Sequence, residues 1–265
     1  MSTAKSSVRI FFVGGLTSYR ALFNWITPAI LIPTFIIEPV FQVLFFVFVG
    51  RTAGVGDDRF FLIGNALQFA SIPCLFAMAN TIGDERYSQT LALLLVSPAR
   101  RLPLFLGRAL PVIANGFAVS VFTLGFGALL LHVTLPASSL LPLVVVLAVA
   151  AFACTGLGLV TAAIALRVRE TAVLANIVFG VLLIFCGVNV PLSSLPAWMA
   201  GVAHWLPLTH GIAAARALAA GSSWNDVAGT VAREAGIGVG YLVIGTILLR
   251  YFEAESRRKA TLETA

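Results

Sequence analysis

Between Arg108 and Arg167 the chain runs for 58 residues without one charged side chain. A membrane helix needs about 20 mostly apolar residues to cross roughly 30 Å of hydrocarbon. The stretch is therefore too long for one crossing and long enough for two. The segment HVTLPASS, His132–Ser139, supplies the turn chemistry between them.

The same ruler divides the rest. Arg20 and Arg51 enclose 30 residues with the single charge Glu38, and Arg59 and Asp84 enclose 24 residues with none. Thr171–Ala215 is again uncharged, but its second half (PLSSLP, then HWLPLTHG) is rich in proline and reads as irregular interface structure. The last apolar stretch, about 231–252, carries Arg233 and Glu234 at its start and Arg250 at its end, all expected to snorkel to the two interfaces. The reading is an all-α integral membrane protein, a single domain over 1–265, with six spans near 27–50, 60–83, 109–131, 140–166, 171–190 and 231–252.

Composition agrees. Apolar residues make up 59% and charged residues 11%, against roughly 45–50% and 25% in soluble domains. A soluble enzyme, a disordered chain and a nucleic-acid partner are excluded, despite the net charge of +6. Residues 1–25 show no cleavable leader, and Arg9 and Arg20 interleave with Phe11, Phe12, Leu16, Leu22 and Trp25, which suits an amphipathic helix in the interface. With the N-terminus inside, 13 of the 17 basic residues fall in inner segments; only Arg51, Arg59, Arg216 and Arg233 fall outside. Both termini are then cytoplasmic, and an anionic inner leaflet accounts for the basic excess.

Several chemistries are missing. The two lysines, Lys5 and Lys259, follow Ala4 and Arg258, so no phosphate-binding Walker loop exists. Cys74, Cys154 and Cys186 lie in apolar runs without metal spacing. His204 and His210, like His132, fall at the outer ends of spans, and a broken interfacial helix suits them better than a metal or catalytic pair.

Two features are ones a bilayer penalises or leaves outside. Glu38, followed by Pro39, lies midway along the first span. An ionised carboxylate near mid-bilayer costs about 2.5–3.5 kcal/mol on insertion scales. It lines a translocation path or a subunit contact, or it is neutral, locally hydrogen-bonded and structural. The second feature is the inner loop Gly83–Arg108. Asp84 and Glu85 read as the start of a short helix, Thr90, Leu91, Leu94 and Leu95 form its apolar stripe, and Ser97-Pro98 stops it before Arg100 and Arg101. Such a knob fits a groove on a partner; the alternative is a helix resting on the inner leaflet.

This loop and its position resemble the permease subunits of type-2 ATP-binding-cassette (ABC) exporters, over essentially the whole chain. The family's acidic residue before proline stands as Glu38-Pro39. Its inner-loop pattern stands as Glu85-Arg86, Thr90-Leu91, Leu93-Leu94, Ser97-Pro98 and Arg100-Arg101. Its late pattern stands as Pro191, Leu195-Pro196, Trp198, Leu206-Pro207, Thr209 and Arg216. Two positions depart: Gln89 replaces the usual glycine and Ala92 the usual glutamate.

The resemblance implies a twelve-span dimer with an identical or paralogous permease, set among membrane lipid, and an ABC ATPase subunit from another chain. That partner would bind ATP and Mg, since this chain carries no cofactor of its own. The loop 84–108 would hold the coupling helix, with Glu85, Arg86, Thr90, Leu91, Leu94, Pro98, Arg100 and Arg101 at the ATPase contact. Residues 191–215 would form short re-entrant helices narrowing the exit, with Pro191, Pro196, Trp198 and Pro207 as gate candidates. Glu38, Asn65, Gln68 and Asn176 are candidates for lining the path. The implied cargo is an amphipathic drug or lipid-like molecule moved outward across a bacterial cytoplasmic membrane, in the manner of the drug-resistance branch. Export of a lipid-linked polysaccharide and a membrane-embedded lipid-acting enzyme are the alternatives.

Overall fold

The computed structural model describes residues 32–55, 57–87, 101–168 and 171–259. The interfacial helix expected at 1–25 lies outside these residues, as do Thr90, Leu91, Leu94, Pro98 and Arg100 of the coupling segment. Every described element is helical. A π-helical turn, Ile32–Ile37, leads into α1 (Glu38–Ala53); α2 (Asp58–Tyr87), α3 (Arg101–Leu130), α4 (Ala137–Ala165) and α5 (Thr171–Phe185) follow. Two short helices, α6 (Ala197–Ala203) and α7 (Thr209–Ala219), precede the long α8 (Trp224–Lys259).

Among the described residues α2, α3, α4 and α8 are long and apolar enough to cross a bilayer. The protein is therefore a multi-pass membrane protein. At about 1.5 Å per residue, the 15 residues of α5 rise about 22 Å, less than the roughly 30 Å of a hydrocarbon core. Helix α1 has 16 residues and continues from the π-helical turn. Pro39 sits in its first turn. Lacking an N–H, it can donate no bond back to the π-helical turn, at the point where the helix type changes. Glu38 is exposed at this change of helix type.

The helices overrun the limits set by counting charges. Where the sequence reading ends the second span at 83, α2 continues to Tyr87, so Asp84, Glu85 and Arg86 lie in its last turns and not at the start of a separate helix. Arg101 opens α3. Charge marks where a helix leaves hydrocarbon, but backbone hydrogen bonding continues until a breaker or competing contact stops it.

Helices α2 and α4 form the centre. Helix α4 packs against α8 and α2, while α2 also meets α3, α1 and α5. Small residues set these distances. A Cβ on Gly158 would overlap the Cys74 carbonyl, and one on Gly238 would sit 2.8 Å from the Ala153 Cα. In lipid, such close approach supplies packing that hydrophobic burial does not. Ser120 on α3 donates to the Ala66 carbonyl of α2 at 2.7 Å. Thr123, Thr155 and Thr161 bond carbonyls of their own helices, so their hydroxyls are satisfied inside the bundle.

Side-chain contacts show which helix ends meet. Arg51 pairs with Asp58, Arg59 reaches Thr134, and Arg216 reaches the Phe60 carbonyl. These unite the C-terminal end of α1, the N-terminal end of α2, the α3–α4 turn and α7. At the opposite end Arg167, after α4, pairs with Glu255 of α8 and lies over the Phe252 ring. The grouping matches the two sides that the basic residues were sorted into.

Candidate functional site

The first group of ends holds the least regular of the described residues. Helix α5 stops at Phe185, and Cys186–Val190 form bends in which Gly187 has φ +75°. Pro191 then opens a 3-10 turn, Leu192–Ser194, and Pro196 caps α6. Proline suits both places because no helical partner waits for its missing N–H. Trp198 is exposed and meets the Phe185 ring edge-on at 5.8 Å. Pro207 is buried, and its carbonyl accepts from the Cys186 thiol at 3.2 Å.

The N-terminal turn of α7 packs among α2, α4 and α8. Gly211 stands against Leu67, Ala150 and the Glu234 carboxyl. Leu67 is nine residues past the start of α2, which puts the N-terminal turn of α7 about 13 Å inside the helix ends. A helix N-terminus buried this way carries unpaired N–H groups that need acceptors. Glu234 supplies them. One carboxylate oxygen accepts from Leu208 N–H at 2.6 Å, the other from Gly211 N–H at 3.0 Å.

This revises the sequence reading of Glu234. It does not snorkel to an interface; it is fully buried. Helix α8 begins at Trp224, so Glu234 lies almost three turns inside it and faces α7. Arg233, one residue earlier, is exposed on another face. Leu208, also fully buried, holds φ +80°. A leucine held at this positive φ, with ψ −33°, costs about 1–3 kcal/mol, and the bond to Glu234 helps hold it there.

Arg216 ties α7 to the bend after α5. One terminal nitrogen donates to the Gly187 carbonyl at 2.8 Å. The other donates to Val188 at 2.8 Å and to Phe60 at 2.9 Å. Its guanidinium carbon lies 3.5 Å from the centroid of the Phe60 ring. The fork of donors meets two carbonyls of the bend after α5 and one in the first turn of α2. Gly64 makes room, since a Cβ there would overlap the Val188 carbonyl and approach the Arg216 guanidinium.

A polar chain runs beside this clamp. Gln42 on α1 donates to Asn65 Oδ1 at 3.0 Å, and Asn65 donates to Asn189 Oδ1 at 2.8 Å and to the Phe61 carbonyl at 2.9 Å. Asn65 and Gln68 are both fully buried. Gln68 donates to the Phe179 carbonyl of α5 at 3.4 Å, and its own oxygen has no partner. The structure thus places two of the four path candidates together on α2. Glu38 is exposed at the start of α1, and Asn176 is exposed and bonds the Ala172 carbonyl of its own helix. Neither joins the polar chain.

The backbone of Glu85 and Arg86 completes α2, and that of Arg101 opens α3. Their side chains lie outside the described residues. Among the described residues no group of three or more His, Cys, Asp or Glu is placed to hold a metal ion.

Long apolar helices with short helices packed at one end make a membrane-protein architecture, and the comparison with known families assigns it. The sequence model described as ABC-2 type transporter matches residues 16–219. The chain belongs to the ABC-2 type transporter family. No curated protein matches it. Membership makes this ABC-2 chain a membrane permease of an ABC transporter, a transport component served by an ABC ATPase. The match ends where α7 ends, so Glu234, which holds α7 in place, lies beyond it.

Sequence reasoning missed Gln42, Asn189 and Glu234, and took Arg216 only as an outside charge and a motif position. For Glu234 a signal was present, because an ionisable residue beside a 20-residue apolar run is a site candidate in its own right. For Gln42 and Asn189 there was none; only their convergence on Asn65 distinguishes them.

Proposed function

We propose that this ABC-2 permease serves an ATP-driven exporter that moves an amphipathic drug or lipid-like molecule outward, in the manner of the drug-resistance branch. It works with a second permease, identical or paralogous, and with an ABC ATPase that binds ATP and Mg. It resides in a bacterial cytoplasmic membrane, with six spans and both termini inside. The observation that supports this best is α7, a half-helix inserted into the bundle and pinned by Glu234 and Arg216. A segment that enters and leaves at one end can narrow an exit without closing a span. Its bonds to α2 and to the bend after α5 supply a mechanical link between exit and spans. Coupling runs through residues 84–108, with Glu85, Arg86, Thr90, Leu91, Leu94, Pro98, Arg100 and Arg101 at the ATPase. Turning a 1:99 equilibrium of inward- and outward-open states into 99:1 takes about 5.5 kcal/mol of differential binding, within reach of ATP-driven closure.

The test is co-expression with candidate ATPase subunits, capture through this chain, and ATP turnover in lipid nanodiscs. A stable complex whose assembly or turnover collapses in a Leu91→Asp/Leu94→Asp double variant supports the reading. An ATPase that binds and turns over equally with the variant removes the coupling assignment.

A further inference from the structure

A cavity lies beside the α7 clamp. It measures about 810 Å³ and runs along α8 from Arg233 to Ile244, with His204, Trp205 and His210 on its other wall. The eleven helical steps from Arg233 to Ile244 make it about 16 Å long. Its two ends differ in chemistry. At one end Arg233 has no ion-pair partner among the described residues, and the stacked His204 and His210 rings, 5.7 Å apart, lie beside it. His210 bonds the His204 carbonyl at 3.1 Å. Arg233 brings a guanidinium to this end of the cavity.

The rest of the cavity is apolar. Gly236 and Gly240 form its floor, one turn apart, and a Cβ on either would meet nothing within 4 Å. These glycines are not needed for helix packing, unlike Gly238, whose Cβ would press on α4. They leave a shallow slot along α8. Its far wall is fixed, because the Tyr241 hydroxyl donates to the Trp205 carbonyl at 3.1 Å.

We propose that this slot binds one anionic phospholipid, its phosphate on Arg233 and one acyl chain along Gly236, Gly240 and Ile244. Three observations support it: a cation without an ion-pair partner among the described residues at one end only, an apolar groove of acyl-chain length, and glycines that keep the groove open. The direction fits a bilayer, since the charged end lies toward the start of α8 and the apolar end toward its middle. The site requires neither ATP nor an ATPase. Its failure therefore leaves the export reading standing, and the converse holds.

The test uses the full chain, purified in detergent, delipidated and titrated with dioleoyl phosphatidylglycerol or dioleoyl phosphatidylcholine by native mass spectrometry. Both lipids carry the phosphate, but the choline cation of phosphatidylcholine competes with Arg233 for it, so the expected preference is about tenfold for phosphatidylglycerol. Arg233→Gln abolishes the preference, and Gly240→Leu, which fills open space, weakens both lipids. In parallel, phosphatidylglycerol with brominated chains quenches tryptophan fluorescence in the wild type and much less in Trp205→Phe. Equal binding of the two lipids by the wild type makes this a nonselective lipid slot and overturns the proposal. A preference that survives Arg233→Gln, or quenching unchanged in Trp205→Phe, overturns it as well.

Discussion

The carboxylate of Glu234 on α8 receives the backbone N–H of Leu208 at 2.6 Å, immediately ahead of α7, where Leu208 holds φ +80°. A tertiary contact thus does what a local N-cap residue does in most helices. No side chain of the segment's own caps α7, so the position of the half-helix depends on α8.

Replacing Glu234 with Gln keeps the shape but turns one acceptor into a donor facing the Gly211 or Leu208 N–H. We expect a loss of about 1–3 kcal/mol, the cost of a buried donor left unpaired. Glu234→Ala, which removes both acceptors, costs more. Thermal unfolding of the purified protein measures both, and equal stability of all three proteins contradicts the capping role.

Arg216→Lys keeps the charge and loses the fork. A single ammonium cannot meet the carbonyls of Gly187, Val188 and Phe60 with the same geometry. The expected destabilisation is about 2 kcal/mol. Phe60→Leu, which removes only the ring under the guanidinium, costs about 0.5–2 kcal/mol. The same unfolding assay ranks them; Arg216→Lys behaving as wild type removes the clamp.

Asn65 links Gln42 on α1 to Asn189 beyond α5. A double-mutant cycle of Gln42→Ala with Asn65→Ala is expected to show a coupling of about 0.5–1.5 kcal/mol, and so is Asn65→Ala with Asn189→Ala. Gln42→Ala with Asn176→Ala, whose side chain bonds only its own helix among the described residues, serves as the uncoupled control. Additivity in every cycle dissolves the network.

Glycine substitutions separate contact from propensity. Gly158→Ala places a methyl on the Cys74 carbonyl and is expected to cost about 1–3 kcal/mol by overpacking. Gly180→Ala, in α5 with nothing within 4 Å of the new methyl, gains up to about 1 kcal/mol from helix propensity. Opposite shifts in melting temperature are the expected result, and parallel shifts contradict the packing account.

The membrane class, the helical character and the sharing of ends were legible in the sequence. They follow from free energies that depend on single residues: transfer of apolar side chains into hydrocarbon, and the tendency of basic loops to stay on one side. The family was legible too, because Glu85-Arg86, Leu206-Pro207 and their neighbours keep their order and spacing. Helix limits were less so. Asp84 and Glu85 looked like a helix start, yet the backbone carries α2 through them.

The site was legible only in pieces. Asn65 and Gln68 stand out as polar residues in an apolar run, but Gln42 and Asn189 acquire meaning only when α1, α2 and the bend after α5 converge. Composition and spacing determined by themselves that this chain crosses a membrane as helices and carries no Walker loop. Tertiary structure alone decided that Glu234 turns inward to cap α7 while Arg233 turns outward to a cavity. The reason is geometric. Consecutive residues on a helix point about 100° apart, and no sequence pattern says which of two adjacent charges will find buried N–H groups until the helix carrying those groups is in place.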